Sequence, residues 1–258
     1  MRKLVIILAL AVVFCGGCAP KSLITIRIPD TDVQIMMKLI PAGTFNMGSP
    51  DWEVDREADE GPCHPVTITE PFYIGVYEVT QEQWFAVMGD NPSFNAASGN
   101  PVELVSWNDC QDFITAINAM DIGTFRLPTE AEWEYACRAG NTARFSFGDG
   151  LTYAEIGDYA WYLGNSSDAT HAVGEKAPNE WGLYDMHGNV YEWCFNWYGA
   201  YDSAEQIDPL GPSTSSARAL RGGGWASHPQ ACRSANRGSY TPTSMSVSLG
   251  FRLVRTSQ

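Results

Sequence analysis

Residues 221–255 have the sequence RGGGWASHPQACRSANRGSYTPTSMSVSLGFRLVR, and this stretch decides how the rest of the chain is interpreted. Its two ends combine glycine, aromatic residues and arginine, a composition typical of tight, closely packed backbone. Small and hydroxyl-bearing residues fill its middle, and such residues are common at protein surfaces. We therefore predict a rigid scaffold at both ends of the stretch and an exposed surface between them.

The composition of the whole chain favours a folded, exported protein. Of its 258 residues, 45% are apolar and 18% are charged, which permits a sizeable core and argues against disorder. The formal net charge is -14 at pH 7. Because such a surface repels a polyanionic phosphate backbone, no nucleic-acid partner is expected. The acidity fits an ordinary secreted surface better than an acidic docking face.

The N-terminus carries a targeting signal. Arg2 and Lys3 precede an apolar run over residues 4–14, and small residues then lead to Cys18. The run is too short to span a bilayer comfortably, and the order resembles a bacterial lipoprotein signal peptide. Cys18 is thus the predicted lipidation site, although Cys15 stands where such signals usually carry Leu. An ordinary cleaved signal peptide with an incidental cysteine is the alternative.

The rest of the chain is predicted to form one loop-rich α+β domain. Residues 1–18 are assigned to the signal peptide, 19–35 to a tether and 36–258 to the domain. Capping boxes at Thr80 and Thr129 predict two helices, and apolar spacing over residues 105–117 predicts another. Residues 140–179 lack periodicity, so we expect ions or aromatic packing to hold them.

Five cysteines follow Cys18, and no CxxC spacing occurs among them. An oxidising compartment permits disulfides, while buried thiols behave as small apolar side chains, and the sequence leaves both alternatives open. The cysteines are Cys63, Cys110, Cys137, Cys194 and Cys232.

Eight motifs, in order along the chain, together resemble the formylglycine-generating enzyme (sulfatase-modifying factor) family. The resemblance implies that family's variant of the C-type lectin fold, in a single domain that covers nearly the whole mature chain. The motifs are IPAGTFNMGS at 40–49, YEVTQEQW at 77–84, PVELVSWNDC at 101–110, RLPTEAEWEYACRAG at 126–140, NEWGLYDMHGNVYEW at 179–193, RGGGW at 221–225, RSANR at 233–237 and GFRLV at 250–254.

The resemblance also implies a structural calcium site. Its ligands would be the side chains of Asp185 and Glu192 and the main-chain carbonyls of Gly188 and Val190. Carboxylates with carbonyls between them form an oxygen-rich cage that suits a hard cation. A turn held by side-chain hydrogen bonds is the alternative. A second family calcium site would lie near residues 158–161, where the match is too loose to assign ligands.

The catalytic chemistry of the family is not expected here. Its enzymes oxidise a substrate cysteine with molecular oxygen and bind copper(I) through two cysteines five residues apart. The second cysteine aligns with Cys232, but the first aligns with Ser227, whose hydroxyl is a poor ligand for a soft ion. No copper is therefore expected, and Cys232 is interpreted as buried packing.

Some members of the family are variable proteins of diversity-generating retroelements, in which mutagenesis at adenines rewrites a C-terminal block. The variable region of this chain would be 221–255. Fixed-looking residues there are Arg221, Gly222, Trp225, residues 232–237 and residues 250–252. Between them lie residues reachable from an AAC codon by changing adenines. These form the predicted ligand-binding site: Ala226, Ser227, His228, Ala231, Gly238, Ser239, Tyr240, Thr241, Thr243, Ser246, Val247 and Ser248.

The sequence therefore predicts a ligand-binding lipoprotein and not an enzyme. It would be secreted across the inner membrane and lipid-anchored to the bacterial outer membrane or cell surface. Small residues around a tyrosine suit a binding surface, and the partner would be an unknown protein or surface ligand. A divergent oxidase of the formylglycine-generating type and a structural envelope lipoprotein are the alternatives.

Overall fold

The computed structural model of the protein describes residues 21–150 and 152–256. The predicted signal peptide, 1–18, and the predicted lipidation site, Cys18, lie outside these residues. Within the described part of the chain, no helix is long and apolar enough to cross a membrane.

Capping boxes begin the three longer helices. Thr80 and Thr129 accept hydrogen bonds from the third residue of helices α1 and α3, as predicted. Ser106 does the same for α2, which agrees with the helix predicted over residues 105–117. In each box, a Gln, Asp or Glu side chain reciprocates the bond. The helices are α1 (Gln81–Met88), α2 (Trp107–Asn118), α3 (Glu130–Arg138) and the short α4 (Ile156–Tyr159).

The strands form three sheets. In order across each sheet they are β1-β2-β5-β12-β6, β10-β9-β7-β11 and β3-β4-β8. Their bounds are β1 (Leu23–Arg27), β2 (Gln34–Ile40), β3 (Gly43–Met47), β4 (His64–Ile68), β5 (Phe72–Gly75), β6 (Phe125–Arg126), β7 (Tyr191–Trp197), β8 (Gln206–Ile207), β9 (Arg218–Arg221), β10 (Gly238–Tyr240), β11 (Leu249–Gly250) and β12 (Val254–Thr256).

The stretch 221–255 joins two of these sheets. Its strands β10 and β11 lie at the two edges of the four-stranded sheet. Strand β12 then inserts between β5 and β6, with Val254 opposite both Ile74 and Arg126. Residues 254–256 are thus paired on both sides within the five-stranded sheet.

The predicted tether, 19–35, is wrong where the structure describes it. Residues 23–27 form β1, which pairs antiparallel with β2 from Leu23 opposite Lys38 to Arg27 opposite Gln34. Ile28 and Ile35 are buried in the core. Alternate residues of β1 are half-buried against the core, so pairing and burial both fix this segment.

Aromatic side chains dominate the core. Trp84 of α1 stacks on Phe113 of α2 at 5.3 Å between ring centroids, and Phe251 packs edge-on against Phe113. Residues 140–179 are held by similar contacts, including Phe147 on Tyr159 at 4.2 Å and Trp161 on His171 at 3.7 Å. Aromatic packing, one of the two predicted ways to hold this long loop, is therefore present.

The five cysteines of the described chain are free thiols. Cys63 is exposed, whereas Cys110, Cys137, Cys194 and Cys232 are buried. The four buried thiols pack as apolar side chains, which was one of the two alternatives that the sequence left open.

Candidate binding face and its buried frame

The twelve predicted ligand-binding residues, here called the variable face, all reach the surface. Five are exposed: Ala226, His228, Tyr240, Thr241 and Thr243. The other seven are half-buried: Ser227, Ala231, Gly238, Ser239, Ser246, Val247 and Ser248. Tyr240 lies at the end of the edge strand β10 with 51% of its surface exposed. Ligand binding by this face stays a prediction, but its residues are accessible.

The fixed-looking residues of the same stretch behave in the opposite way. All are buried except Trp225, which is half-buried: Arg221, Gly222, residues 232–237 and residues 250–252. The division drawn from the sequence motifs therefore coincides with the division by burial. Codon reachability alone does not separate the two sets, because the Arg, Gly, Cys, Ser, Ala, Asn and Phe residues of the fixed-looking set are also reachable from AAC.

Four buried arginines, here called the arginine frame, lie in the same stretch of sequence as the variable face: Arg221, Arg233, Arg237 and Arg252. Arg221 forms an ion pair with Glu134 of α3 and donates to the carbonyls of Ser234 and Asn236 at 2.9 and 2.6 Å. These bonds hold the turn over residues 234–236 against α3. Backbone carbonyls of the variable region are thus fixed by a charged group beneath them.

Arg233 and Arg237 fasten the same turn to two other parts of the chain. Arg233 donates to Glu53 at 2.7 Å and forms an ion pair with Glu60. Arg237 forms a two-bond pair with Glu130, at 2.7 and 2.9 Å. Bidentate pairs of this kind set orientation as well as distance.

The electrostatics of the frame show that its charges depend on one another. Burial alone would raise the pKa of Glu60, but Arg233 lowers it below its ordinary value. Burial acts likewise on Glu130, whose pKa Arg237 and Arg221 lower. The carboxylates are therefore charged at neutral pH, and each arginine has a charged partner. Removing one partner of such a pair leaves an uncompensated buried charge, which typically costs about 3–5 kcal/mol.

Main-chain hydrogen bonds hold most of the variable face in place. Leu163 N–H donates to the carbonyl of Ser227, and Leu104 N–H donates to that of Ser246, both at 3.0 Å. The indole of Trp225 donates to the carbonyl of Val247 at 2.9 Å. Any residue except proline offers the same main-chain groups, so side chains can change here without loss of these bonds.

The hydroxyl of Ser227 is an exception, since it accepts a hydrogen bond from Gly224 N–H at 3.0 Å. Sequence reasoning also missed two exposed neighbours, Gln230 and Met245. Neither residue is reachable from an AAC codon, so the criterion that found the rest excluded them. Both residues lie between predicted face residues in the sequence, and this position would have predicted their exposure.

The variable face is uncharged. Residues 225–231 and 238–248 contain no Asp, Glu, Lys or Arg, although the chain carries a net charge of -14. Their hydroxyl groups offer both donors and acceptors, and Tyr240 adds an aromatic ring. Such a surface recognises a partner through shape and neutral hydrogen bonds, without strong electrostatic attraction or repulsion.

At the position of the copper site in the related enzymes, this chain carries one buried thiol, Cys232, and one hydroxyl, Ser227. Cys232 is fully buried, which raises the pKa of its thiol to about 12. Its nearest polar contact is the carbonyl of His228 at 3.8 Å. Ser227 supplies a hydroxyl that is already bonded to the main chain. Among the described residues, no group of three or more His, Cys, Asp or Glu side chains could hold a metal ion.

The predicted calcium ligands Asp185 and Glu192 have other contacts. Arg252 donates to both oxygens of Glu192 at 2.6 Å, and Trp133 adds a third bond at 2.7 Å. One oxygen of Asp185 accepts from Gly174 N–H, and its other oxygen is buried without a partner. Both oxygens of Glu192 are therefore already hydrogen-bonded, whereas Asp185 keeps one buried oxygen without a partner.

Gly188 and Val190, the other two predicted ligands, lie in a turn that hydrogen bonds already hold. Val190 N–H donates to Glu78 at 3.0 Å, and the Asn189 amide donates to the same carboxylate at 2.8 Å. These bonds support the alternative of a turn held by side chains. The calcium site stays a prediction, and burial raises the pKa of Asp185 to about 6.

Comparisons with known proteins agree with this fold. The family model described as "Sulfatase-modifying factor enzyme 1-like domain" matches residues 29–257. The formylglycine-generating enzyme of Thermomonospora curvata is 31% identical over 84% of this chain and 92% of its own. The chaperone protein LppX of Paenibacillus barcinonensis is 28% identical over 99% of both chains.

Among solved structures, variable protein 1 of Treponema denticola is similar, with 31% identity and a TM-score of 0.83. The match covers 92% of this chain and 100% of that chain. The predicted α+β fold and the resemblance drawn from the sequence motifs, including the likeness to variable proteins, are confirmed.

Proposed function

The chain belongs to the sulfatase-modifying factor family, and we propose that it is a surface-displayed binding protein and not an oxidase. One observation carries the proposal: residues 221–255 divide into a buried, charged frame and an exposed, uncharged face. An enzyme needs fixed reactive groups at its surface, whereas a binding protein needs an adaptable surface on a fixed support.

The proposed ligand is a protein or another surface molecule that contacts the variable face. Tyr240 would be the aromatic anchor, because it is large, exposed and neutral. Serine and threonine hydroxyls around it would supply adaptable hydrogen bonds. The TM-score of 0.83 to a variable protein supports the proposal, whereas the 31% identity to that protein equals the identity to a formylglycine-generating enzyme and does not separate the two functions.

The proposal includes export and anchoring. Cys18 would carry the lipid, and the variable face would be displayed from the outer membrane or cell surface. Several acyl chains would be needed, because a single chain binds membranes only marginally.

The origin of the face can be tested in the DNA beside the gene. A diversity-generating retroelement would leave a near-copy of the segment encoding residues 221–255, with adenines at the codons of the variable face. A reverse transcriptase gene would accompany it. If neither is present, the retroelement part of the proposal fails, while ligand binding by the face can still be measured.

Copper(I) titration tests the oxidase alternative. We expect no tight, stoichiometric binding, because Ser227 replaces one thiol and Cys232 is buried and protonated. A competition titration against a copper(I) chelator would measure this, with the Cys232→Ala variant as the control. Tight one-to-one binding that is lost in the variant would favour the oxidase.

A further inference from the structure

A cavity lies outside the variable face. It has a volume of about 590 Å³ and opens between β3, the loop that follows it and the C-terminal end of α3. None of the twelve face residues lines it. Its size lies within the range of roughly 300–1,000 Å³ that is usual for small-ligand sites.

Aromatic rings form the wall of this cavity. Tyr135 packs on Phe45 at 5.2 Å and meets Trp181 edge-on at 4.9 Å between ring centroids. Trp52 stands at the rim with 79% of its surface exposed. An exposed tryptophan next to a partly buried aromatic group is an unusual surface feature, and such patches commonly mark interaction sites.

Tyr135 also brings a polar group to the cavity. The residue is 7% exposed, and its hydroxyl is not among the buried polar atoms that lack a hydrogen-bond partner, so it is accessible from the cavity. The hydroxyl lies beside Gly43, where an added Cβ would come within 2.3 Å of it. Glycine at this position therefore leaves room for the hydroxyl. A ligand in the cavity would hydrogen bond to this hydroxyl in place of water.

The cavity presents no free charge. Arg138 is the one charged side chain that lines it. All three guanidinium nitrogens of Arg138 are engaged, by Glu134 at 2.8 Å and by the carbonyls of Ala143 and Gly48 at 3.1 and 2.9 Å. The remaining polar lining is neutral: Thr44, Asn46, Asn141 and Thr142. A charged ligand would lose its hydration without gaining a partner.

We propose that this cavity binds a neutral saccharide. A sugar ring has an apolar C–H face that packs on an aromatic ring and a rim of hydroxyls that hydrogen bonds to neutral polar groups. The wall formed by Trp52, Tyr135 and Trp181 supplies the first contact. Asn46 and Thr142 supply the second, since the side chains of Thr44 and Asn141 already have hydrogen-bond partners within the protein. A proline-rich peptide would use the aromatic rings but would leave Asn46 and Thr142 unpaired.

The test is calorimetric titration of the purified protein with maltopentaose, cellopentaose and chitopentaose, and with a proline decapeptide as the competing class. We expect saturable binding of at least one saccharide. Trp52→Ala should weaken it about tenfold, the loss expected for one aromatic anchor. The matched control is Phe94→Ala, because Phe94 is 75% exposed but does not line the cavity.

Cys63 reports on the same cavity, since it is exposed and lines it. Burial raises the pKa of its thiol, so alkylation with N-ethylmaleimide is followed at alkaline pH by mass spectrometry of the Cys63 peptide. Bound saccharide should slow this alkylation. The inference is overturned if all three saccharides fail to bind, if only the peptide binds, or if neither Trp52→Ala nor the alkylation rate responds.

Saccharide binding in this cavity does not depend on ligand binding by the variable face. Tyr240→Ala changes the variable face and should leave saccharide affinity unchanged. Loss of saccharide binding in Tyr240→Ala, with Trp52→Ala unaffected, would move the saccharide to the variable face and overturn the assignment to this cavity.

Discussion

The arginine frame and the variable face lie in the same 35-residue stretch, residues 221–255, yet they differ in every physical property that governs tolerance to change. The frame is charged and buried, and its side chains form ion pairs with the rest of the protein. The face is uncharged and accessible, and main-chain atoms form most of its hydrogen bonds to the rest of the protein. A segment can therefore be fixed in its backbone and free in its side chains.

The difference follows from the cost of desolvation. A buried charge that loses its partner has no water to replace it, so one substitution in the frame affects the whole fold. An exposed neutral side chain is solvated before and after replacement, and such changes usually stay within about 0.5 kcal/mol. Substitutions in the frame and in the face test this difference in stability.

The largest expected effect comes from Arg233→Met. Removing this guanidinium leaves Glu53 and Glu60 buried next to each other without their cation. We expect a loss of about 3–5 kcal/mol in the free energy of unfolding, measured by urea denaturation.

The matched control is Arg27→Met, because Arg27 pairs with Asp32 at the surface with 63% of its side chain exposed. Surface pairs contribute about 1 kcal/mol or less, so this variant should be nearly as stable as the parent. Equal losses in the two variants would contradict the role of the frame.

A smaller effect is expected from acid. The pKa values of Glu60 and Glu130 are lowered in the folded protein by their arginine partners, although burial opposes this. The stability they contribute is present above the unfolded pKa, about 4.3, and is lost as the pH falls through the folded pKa.

Glu130→Gln should therefore be less stable at neutral pH and should lose less stability on acidification than the parent. Urea unfolding at a series of pH values measures both. If the free energy of unfolding depends on pH in the same way in Glu130→Gln and in the parent, the pKa of Glu130 does not differ between the folded and unfolded states, which would contradict the ion pair.

The smallest effects are expected on the variable face. Single replacement of Ala226, His228, Thr241 or Thr243 by Asn should change the free energy of unfolding by about 0.5 kcal/mol or less. Gly223→Ala is the control in the same stretch. Gly223 has φ of +74°, and an added Cβ would lie 2.7 Å from Cys232 Sγ.

This backbone strain alone should cost about 1–3 kcal/mol. If the four Asn variants lost as much stability as Gly223→Ala, the face would be part of the scaffold.

Local features of the fold were predictable from sequence. The capping boxes at Thr80 and Thr129 place two helix starts within single four-residue motifs. The buried and exposed parts of 221–255 also follow from the residue types and short motifs of that stretch. Both kinds of inference need only neighbouring residues, which is why they succeed.

Non-local pairings were not predictable. Glu192 meets Arg252 across 60 residues of sequence, and this ion pair occupies the carboxylate that was predicted to bind calcium. Strand β1 was predicted as a tether because five residues carry too little periodicity to reveal their pairing with β2. Contacts of this range depend on how the whole chain folds.

The central claim, that an adaptable face rests on a fixed frame, is tested most directly by selection from a displayed library. Codons for Ala226, His228, Tyr240, Thr241 and Thr243 would be randomised, and the library selected for binding to lysozyme. We predict that most members fold, as measured by protease resistance, and that specific binders emerge. Loss of folding in most members, or the absence of any binder from a folded library, would contradict the account.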